Sequence, residues 1–198
     1  MEIKLATDYN KKMAATTKRA VVNILKSIYS ISVIKNGGLV LHASAVLRNG
    51  KAYIFFGPSG SGKTTVARLS QEFPVLDDES IFIKRRNSSY QAYGTAEAQK
   101  SIAKAQRGDM KVEGAFPIQG LYKLTQDKKV YLSRLPISQA IVELFTIPAL
   151  LKGLAGHKRL LLNLSNLVTE IPCFDLHFRQ DNSFWGCILS AERIAHSA

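Results

Sequence analysis

With 198 residues and 46% hydrophobic content, the chain is long enough to build its own core, and a single domain over 1-198 is expected. Its formal charge of +12 comes in short scattered clusters such as Lys84-Arg85-Arg86 and His157-Lys158-Arg159. No helix-turn-helix, RNP or zinc-finger pattern accompanies them, so no nucleic-acid partner is expected. No apolar run approaches the roughly 20 residues of a membrane span, and the first residues lack the apolar segment of a secretory signal. With Cys173 and Cys187 in no metal or redox spacing, these features predict a cytoplasmic protein with no membrane span.

From Lys11 to Ile34, the residues Val21, Val22, Ile24, Leu25, Ile28 and Tyr29 recur at three and four. This predicts an amphipathic helix over about 14-30, ended by Gly37-Gly38. Leu39 to Leu47 and Lys51 to Phe56 read as two strands joined at Asn49-Gly50, the pair that best supplies the positive φ of a two-residue type I′ hairpin. The second strand is then antiparallel to its predecessor, unlike the parallel setting of Ras-like or RecA-like proteins. It leads into Gly57-Pro58-Ser59-Gly60-Ser61-Gly62-Lys63-Thr64, which fits G-x-x-x-x-G-K-[ST].

This stretch predicts a phosphate cradle. Glycines let backbone N–H groups turn inward around a polyphosphate, because they accept positive φ and leave room where a Cβ would stand. Lys63 would reach the β and γ phosphates, Thr64 would offer its hydroxyl to Mg²⁺, and the helix starting there directs its positive end at the same anion. Residues 57 to 65, Thr65 included, are therefore the candidate nucleotide-binding set, with ATP and Mg²⁺ as the expected ligands.

A helix from Lys63 to about Glu72 closes before Pro74. Val75-Leu76-Asp77-Asp78 then ends an apolar pair in two carboxylates, and Ser80 to Lys84 alternates like a strand. Only thirteen residues lie between Lys63 and Asp77, enough for a short helix leading away from the cradle and a short return. From Arg85 to Glu113 the pattern fades and reads as a mobile loop or lid. Ile118 to Leu124 and Lys129 to Leu132 predict a second hairpin around Gln126-Asp127. Pro136 opens a helix with Ile137, Ala140, Ile141, Leu144 and Phe145 on one face, interrupted at Pro148. Leu160, Leu161, Leu162, Leu164 and Leu167 read as buried helical packing. Cys173 to Arg179 and Phe184 to Leu189 read as closing strands.

Leu41-His42-Ala43-Ser44-Ala45, the hairpin, Phe55 to Thr65 and Asp77-Asp78-Glu79 together resemble the catalytic core shared by HPr kinase/phosphorylase and ATP-dependent phosphoenolpyruvate carboxykinase. The likeness is strong over about residues 38-84 and returns in Cys173 to Arg179. It implies an α/β P-loop fold with a mixed sheet, an antiparallel strand before the loop and flanking helices. It also implies that His42, Lys63, Thr64, Asp77 and Asp78 converge on nucleotide and metal. The chain is too short for the carboxykinase, and it lacks the separate amino-terminal domain and the glycine-rich signature of full HPr kinases. The implied activity is ATP- and Mg²⁺-dependent phosphoryl transfer to a hydroxyl. The acceptor is preferably a serine of a protein or peptide; a small-molecule hydroxyl and a regulatory module without turnover are the alternatives. A homo-oligomer stays open.

Each site residue also has an ordinary structural reading. His42 in an apolar strand would commonly be a satisfied core histidine; beside the loop and the aspartates it reads as a metal ligand or as a partner orienting a carboxylate. Asp77 and Asp78 could cap a turn, but adjacent carboxylates suit a site that must hold Mg²⁺ and accept a hydroxyl proton. The resemblance gives the metal to Asp78 and the proton to Asp77, and the two could be exchanged. Glu79 and Ser80 are neighbours of the site at most. Arg85, Arg86, Arg107 and Arg134 are candidates to neutralise the transferred group, with none favoured.

Overall fold

A computed structural model of the chain describes residues 2–94, 114–147 and 156–196. Helix α1 (Glu2–Lys35) extends past the expected 14-30 at both ends, since good helix formers such as Met13-Ala14-Ala15 continue it without apolar periodicity. It stops in a Schellman motif: Gly38 N–H donates to Val33 O at 2.8 Å, Gly37 N–H to Ile34 O at 3.2 Å, and Gly37 takes φ 80. Asn163, buried in a later helix, donates a second bond to Ile34 O and satisfies one more carbonyl, Gly38 O, at this end.

The Asn49-Gly50 turn forms, with φ 51 and 72, between β2 (Ala43–Arg48) and β3 (Lys51–Phe56). The expected strand from Leu39 to Leu47 is corrected: it bends at His42. Residues before the bend form β1 (Leu39–Leu41), which pairs with β5 (Ile81–Arg86) instead of β3. The chain changes neighbours there because the sheet curls, and each half is paired with the side it faces. β4 (Val75–Asp77) runs antiparallel along the other side of β2.

Residues 85–94 are not a loop. β5 turns at Asn87-Ser88, both at positive φ, into β6 (Ser89–Tyr93). The turn lacks glycine, and this weakens its signal in sequence. The rest of the expected lid lies outside the described residues.

The long β7 (Phe116–Gln126) pairs antiparallel with β6 at its start and parallel with β3 and β9 (Cys173–Phe178) thereafter. The second predicted hairpin is corrected: β8 (Tyr131–Arg134) pairs with β9, which lies between it and β7. Asp127 N–H donates to Phe178 O at 3.0 Å, and Asp127 Oδ1 accepts the Lys129 N–H at 3.1 Å. This turn carries the chain across the end of β9. The nine strands among the described residues form one mixed sheet in the order β1-β5-β6-β7-β3-β2-β4, with β9 and β8 branching from β7.

Helices cover both faces. α2 (Lys63–Leu69) is shorter than expected, and α5 (Ser183–His196) replaces the strand expected over Phe184 to Leu189. Phe184, Trp185 and Ile188 are buried at helical spacing, and Asp181 accepts both the Ser183 N–H and its hydroxyl at the start of the helix. α2 and α5 pack on Tyr53, Phe55, Tyr122, Leu124, Leu176 and Phe178. α3 (Ile137–Thr146) and α4 (His157–Glu170) fill the other side, against Ile54, Phe56, Leu121 and Cys173. In α4, Leu160, Leu164 and Leu167 are buried as expected, whereas Leu161 and Leu162 are exposed because the helix has only one inward face. Pro148 lies outside the described residues. Among the described residues no helix is long and apolar enough to cross a membrane. The architecture is α/β, with the antiparallel strand before the P-loop that separates this fold from the parallel P-loop classes.

Candidate functional site

β3 and β4 both run antiparallel to β2 and flank it, so their carboxyl ends emerge together at the amino end of β2. The pairs Ala43↔Phe56 and Ala45↔Asp77 set the register. His42 and Gly57 are the residues next to the Ala43↔Phe56 pair at that end. The bend, the loop and the carboxylates, far apart in sequence, thereby share one end of the sheet. β7 and β9, parallel to β3, bring Gln126 and Phe178 to that same end.

The loop is shaped by what a side chain would strike. Gly62 has φ 105, and a Cβ there would lie 2.6 Å from Phe178 Cζ; at Gly57, φ 151, it would lie 2.8 Å from Ser61 Oγ. Ser61 N–H closes the turn onto Pro58 O, and Gln126 Nε2 donates to Gly60 O at 2.9 Å. Sequence reasoning missed Gln126 and Phe178 as loop supports, since neither carries a motif. Pro58, Ser59, Gly60 and Thr64 are exposed, while Thr65 and Gly62 are partly covered. Lys63 is buried, and its Nζ donates to Gly57 O and Pro58 O, each at 2.9 Å. Burial pushes its pKa below the ordinary lysine value, since no carboxylate offsets the lost hydration.

These residues fit a polyphosphate. Ser61 Oγ is buried with no hydrogen-bond partner, as is Ser44 Oγ, which stands across from Phe55 on the strand beside the loop. A buried ammonium held only by neutral carbonyls and an unsatisfied buried hydroxyl are both stabilised by an anion placed among them. Among the described residues, no three His, Cys, Asp or Glu converge to hold a metal ion by themselves. Mg²⁺ usually takes one or two protein groups plus phosphate oxygens, so Thr64 with one carboxylate would suit it.

Asp77 and Asp78 differ sharply in setting. Asp77 is 1% exposed and its Oδ1 accepts N–H groups from Glu79 at 2.9 Å and Ser80 at 3.2 Å, whereas Asp78 is exposed. The turn also holds the histidine: His42 Nδ1 lies 2.9 Å from Glu79 O. A carbonyl can only accept, so Nδ1 donates its proton here and Nε2 is the ring nitrogen this bond leaves unused. The Glu79 carboxylate meets Lys26 of α1 at 3.3 Å. The structure brings none of Arg85, Arg86 and Arg134 here. Arg85 is tied to Glu170 at 2.5 Å at the far end of β5, beside exposed Arg86. Arg134 sits on β8, three strands from β3, and Arg107 lies outside the described residues.

On the opposite flank of β3, a polar row runs along β7 and β9. Lys123 pairs with Glu143 at 2.7 Å and reaches Asp175 at 3.7 Å; Thr125 Oγ1 donates to Asp175 at 2.8 Å; His177 bonds Asp127 at 2.9 Å and stacks on Tyr131. Burial works against the Lys123 charge, but Glu143 and Asp175 outweigh it and raise its pKa.

Fold and site together define an α/β protein with a P-loop fold of the kinase type. Among solved structures, that of the Hpr(Ser) kinase/phosphatase from Coxiella burnetii is similar, with a TM-score of 0.50 at 10% identity over 80% of this chain and 99% of that one. At that identity the likeness is one of fold. The chain belongs to the SynChlorMet cassette protein ScmC family, whose model matches residues 8–193. No curated protein matches the sequence.

Proposed function

We propose that this protein is a kinase that binds ATP with Mg²⁺ and transfers the γ-phosphoryl group to a hydroxyl, preferably a serine of a protein or peptide. The observation that carries the reading is the register of β4-β2-β3, which gathers the phosphate loop, His42 and the aspartate pair at one end of the sheet. Residues 57 to 65 cradle the phosphates. Lys63 exchanges its two carbonyl partners for phosphate oxygens, which favour its charged form. Mg²⁺, when bound, supplies charge neutralisation on the phosphates, and Thr64 and Asp78 are the groups that would hold it. Asp77 takes the proton of the acceptor hydroxyl. His42, donating to Glu79 O, fixes the carboxylate turn and presents Nε2 to the site.

A second reading exchanges the aspartates. It is favoured by one observation: Asp78 is exposed, where an acceptor can reach it, while Asp77 is buried within its turn. Incubation with γ-labelled ATP, Mg²⁺ and native cell extract tests the function. Label on a protein or peptide supports it, whereas nucleotide binding with no label on any acceptor leaves a regulatory module.

A further inference from the structure

The carboxylate turn is held from two directions. Inside the site, the Glu79 N–H donates to Asp77 Oδ1 and the Glu79 carbonyl accepts from His42 Nδ1, each at 2.9 Å, so the backbone of one residue spaces the histidine from the aspartate. From outside, the Glu79 carboxylate accepts from Lys26 Nζ of α1 at 3.3 Å. A shift of Glu79 therefore carries His42 and Asp77 with it, and Lys26 is the residue by which α1 reaches this turn.

The lysine stands on a fixed support. Lys26, Ser30 and Val33 recur at i, i+4 and i+7 on the side of α1 turned to the domain, opposite the exposed Val21, Ile24, Leu25 and Ile28. Ser30 and Val33 are buried, Ser30 Oγ donates to Lys26 O at 2.7 Å, and Asn163 pins the end of the helix. Tyr29 packs edge-on against Phe82 of β5, three residues beyond Glu79, with ring centres 5.0 Å apart. The Lys26 side chain is 22% exposed and that of Glu79 67%, so the lysine is the anchored member of the pair and the glutamate the one that is held. An exposed ion pair adds little to global stability, and its value here is geometric: it chooses where a short turn rests. Phosphoryl transfer is sensitive to such placement, since a displacement of about 1 Å can cost about 10²-fold. We infer that Lys26 is a positioning residue, which through Glu79 sets His42 and Asp77 and makes α1 part of the site. The effect on transfer rests on the kinase reading; the effect on the turn does not.

The test uses the full chain and reads the turn directly, by amide hydrogen exchange at positions 79 and 80, whose N–H groups donate to Asp77. In Lys26→Met, protection of these two amides should fall about threefold, the reach of an exposed ion pair, while the melting temperature and protection elsewhere stay at wild-type values. The initial rate of labelling native cell extract with γ-labelled ATP and Mg²⁺ should fall about tenfold, and ATP affinity without metal should stay within about twofold, because residues 57 to 65 are untouched. Lys26→Arg should restore both protection and labelling. Glu79→Gln should reproduce the loss, and adding Lys26→Met to it should change nothing further, since the two side chains act through one contact. The proposal is overturned if protection at 79 and 80 is unchanged in Lys26→Met, if the two substitutions add in full, or if Lys26→Arg behaves like Lys26→Met. It is also overturned if Lys26→Met lowers protection throughout the domain, which would make the lysine a support of the fold alone. If the wild-type chain labels no acceptor, the kinase reading fails, and the exchange measurements by themselves decide whether Lys26 positions the turn.

Discussion

The two flanks of β3 carry similar numbers of polar side chains but use them differently. On the β2/β4 side, His42 and Asp77 hold one backbone turn, Lys63 is buried on neutral carbonyls, and Ser61 and Ser44 hold buried hydroxyls without partners. On the β7/β9 side, Lys123, Glu143, Asp175, Thr125, His177 and Asp127 satisfy one another. Unsatisfied buried groups carry a standing cost that a ligand can relieve, whereas mutually paired ones stabilise the fold and leave a ligand less to gain. The first flank is therefore read as site and the second as scaffold, and substitutions on each side should separate activity from stability.

The largest effect belongs to the buried lysine. Lys63→Met should lower phosphoryl transfer by roughly 10²-fold or more and weaken ATP binding, because a charged donor aimed at the transferring phosphate is lost from a preorganised site. Its melting temperature should stay at or above the wild-type value, since burial already disfavours the charged form. Calorimetric ATP titration and a thermal melt on one sample check both; unchanged ATP affinity would remove the contrast at its root.

The aspartates sharpen it. If Asp77 takes the proton, Asp77→Asn should leave Mg·ATP binding nearly intact and depress transfer by about 10² to 10⁴-fold, while Asp78→Asn should raise the Mg²⁺ requirement. The reverse pattern establishes the exchanged assignment, and equal binding defects would give both carboxylates to the metal. Metal and nucleotide titrations on the two variants decide among these outcomes.

Gly62→Ala crosses the boundary, because Phe178 of the scaffold flank fills the place of its Cβ. We expect a loss of about 2 kcal/mol in stability from the strained φ and the contact, together with weaker ATP binding. Gly60→Ala has positive φ but open space, and should cost less in a denaturant titration of both variants. On the scaffold side, Asp175→Asn weakens the Thr125 and Lys123 contacts and should lower stability by about 1 kcal/mol while leaving transfer within a few-fold. A tenfold loss of transfer there would move that flank into the site.

The smallest effect is a pH response. The Lys129 N–H, and then His177, hold the Asp127 carboxyl below its ordinary 3.8. The unfolded chain takes the proton first as pH falls. The stabilisation is therefore present above 3.8 and is lost as pH drops through the lower folded value. Asp127→Asn should flatten the decline of melting temperature in that acid window, as melts across pH 2 to 5 would show.

Local chemistry made one half of this molecule legible in sequence. Asn49-Gly50 encodes its turn because few residues accept two positive φ values in succession, and Gly57 to Thr64 encodes its loop because the spacing of glycines and lysine is itself the geometry. The strand after Ser80 and the helix after Pro136 were readable for the same reason, being short-range patterns of apolar residues. What tertiary structure alone decided was which strands meet. A chain segment cannot state its non-neighbour, so Gln126-Asp127 resembled a hairpin although β9 enters between β7 and β8, and the run from Leu39 gave no sign that it would change partners at His42. The strand expected at Phe184 became a helix because burial of Phe184, Trp185 and Ile188 on one face required the helical period. The bare face of α1 has the same origin: its apolar residues recur at helical spacing in the sequence, but only the packed fold shows that the domain leaves one side of them exposed.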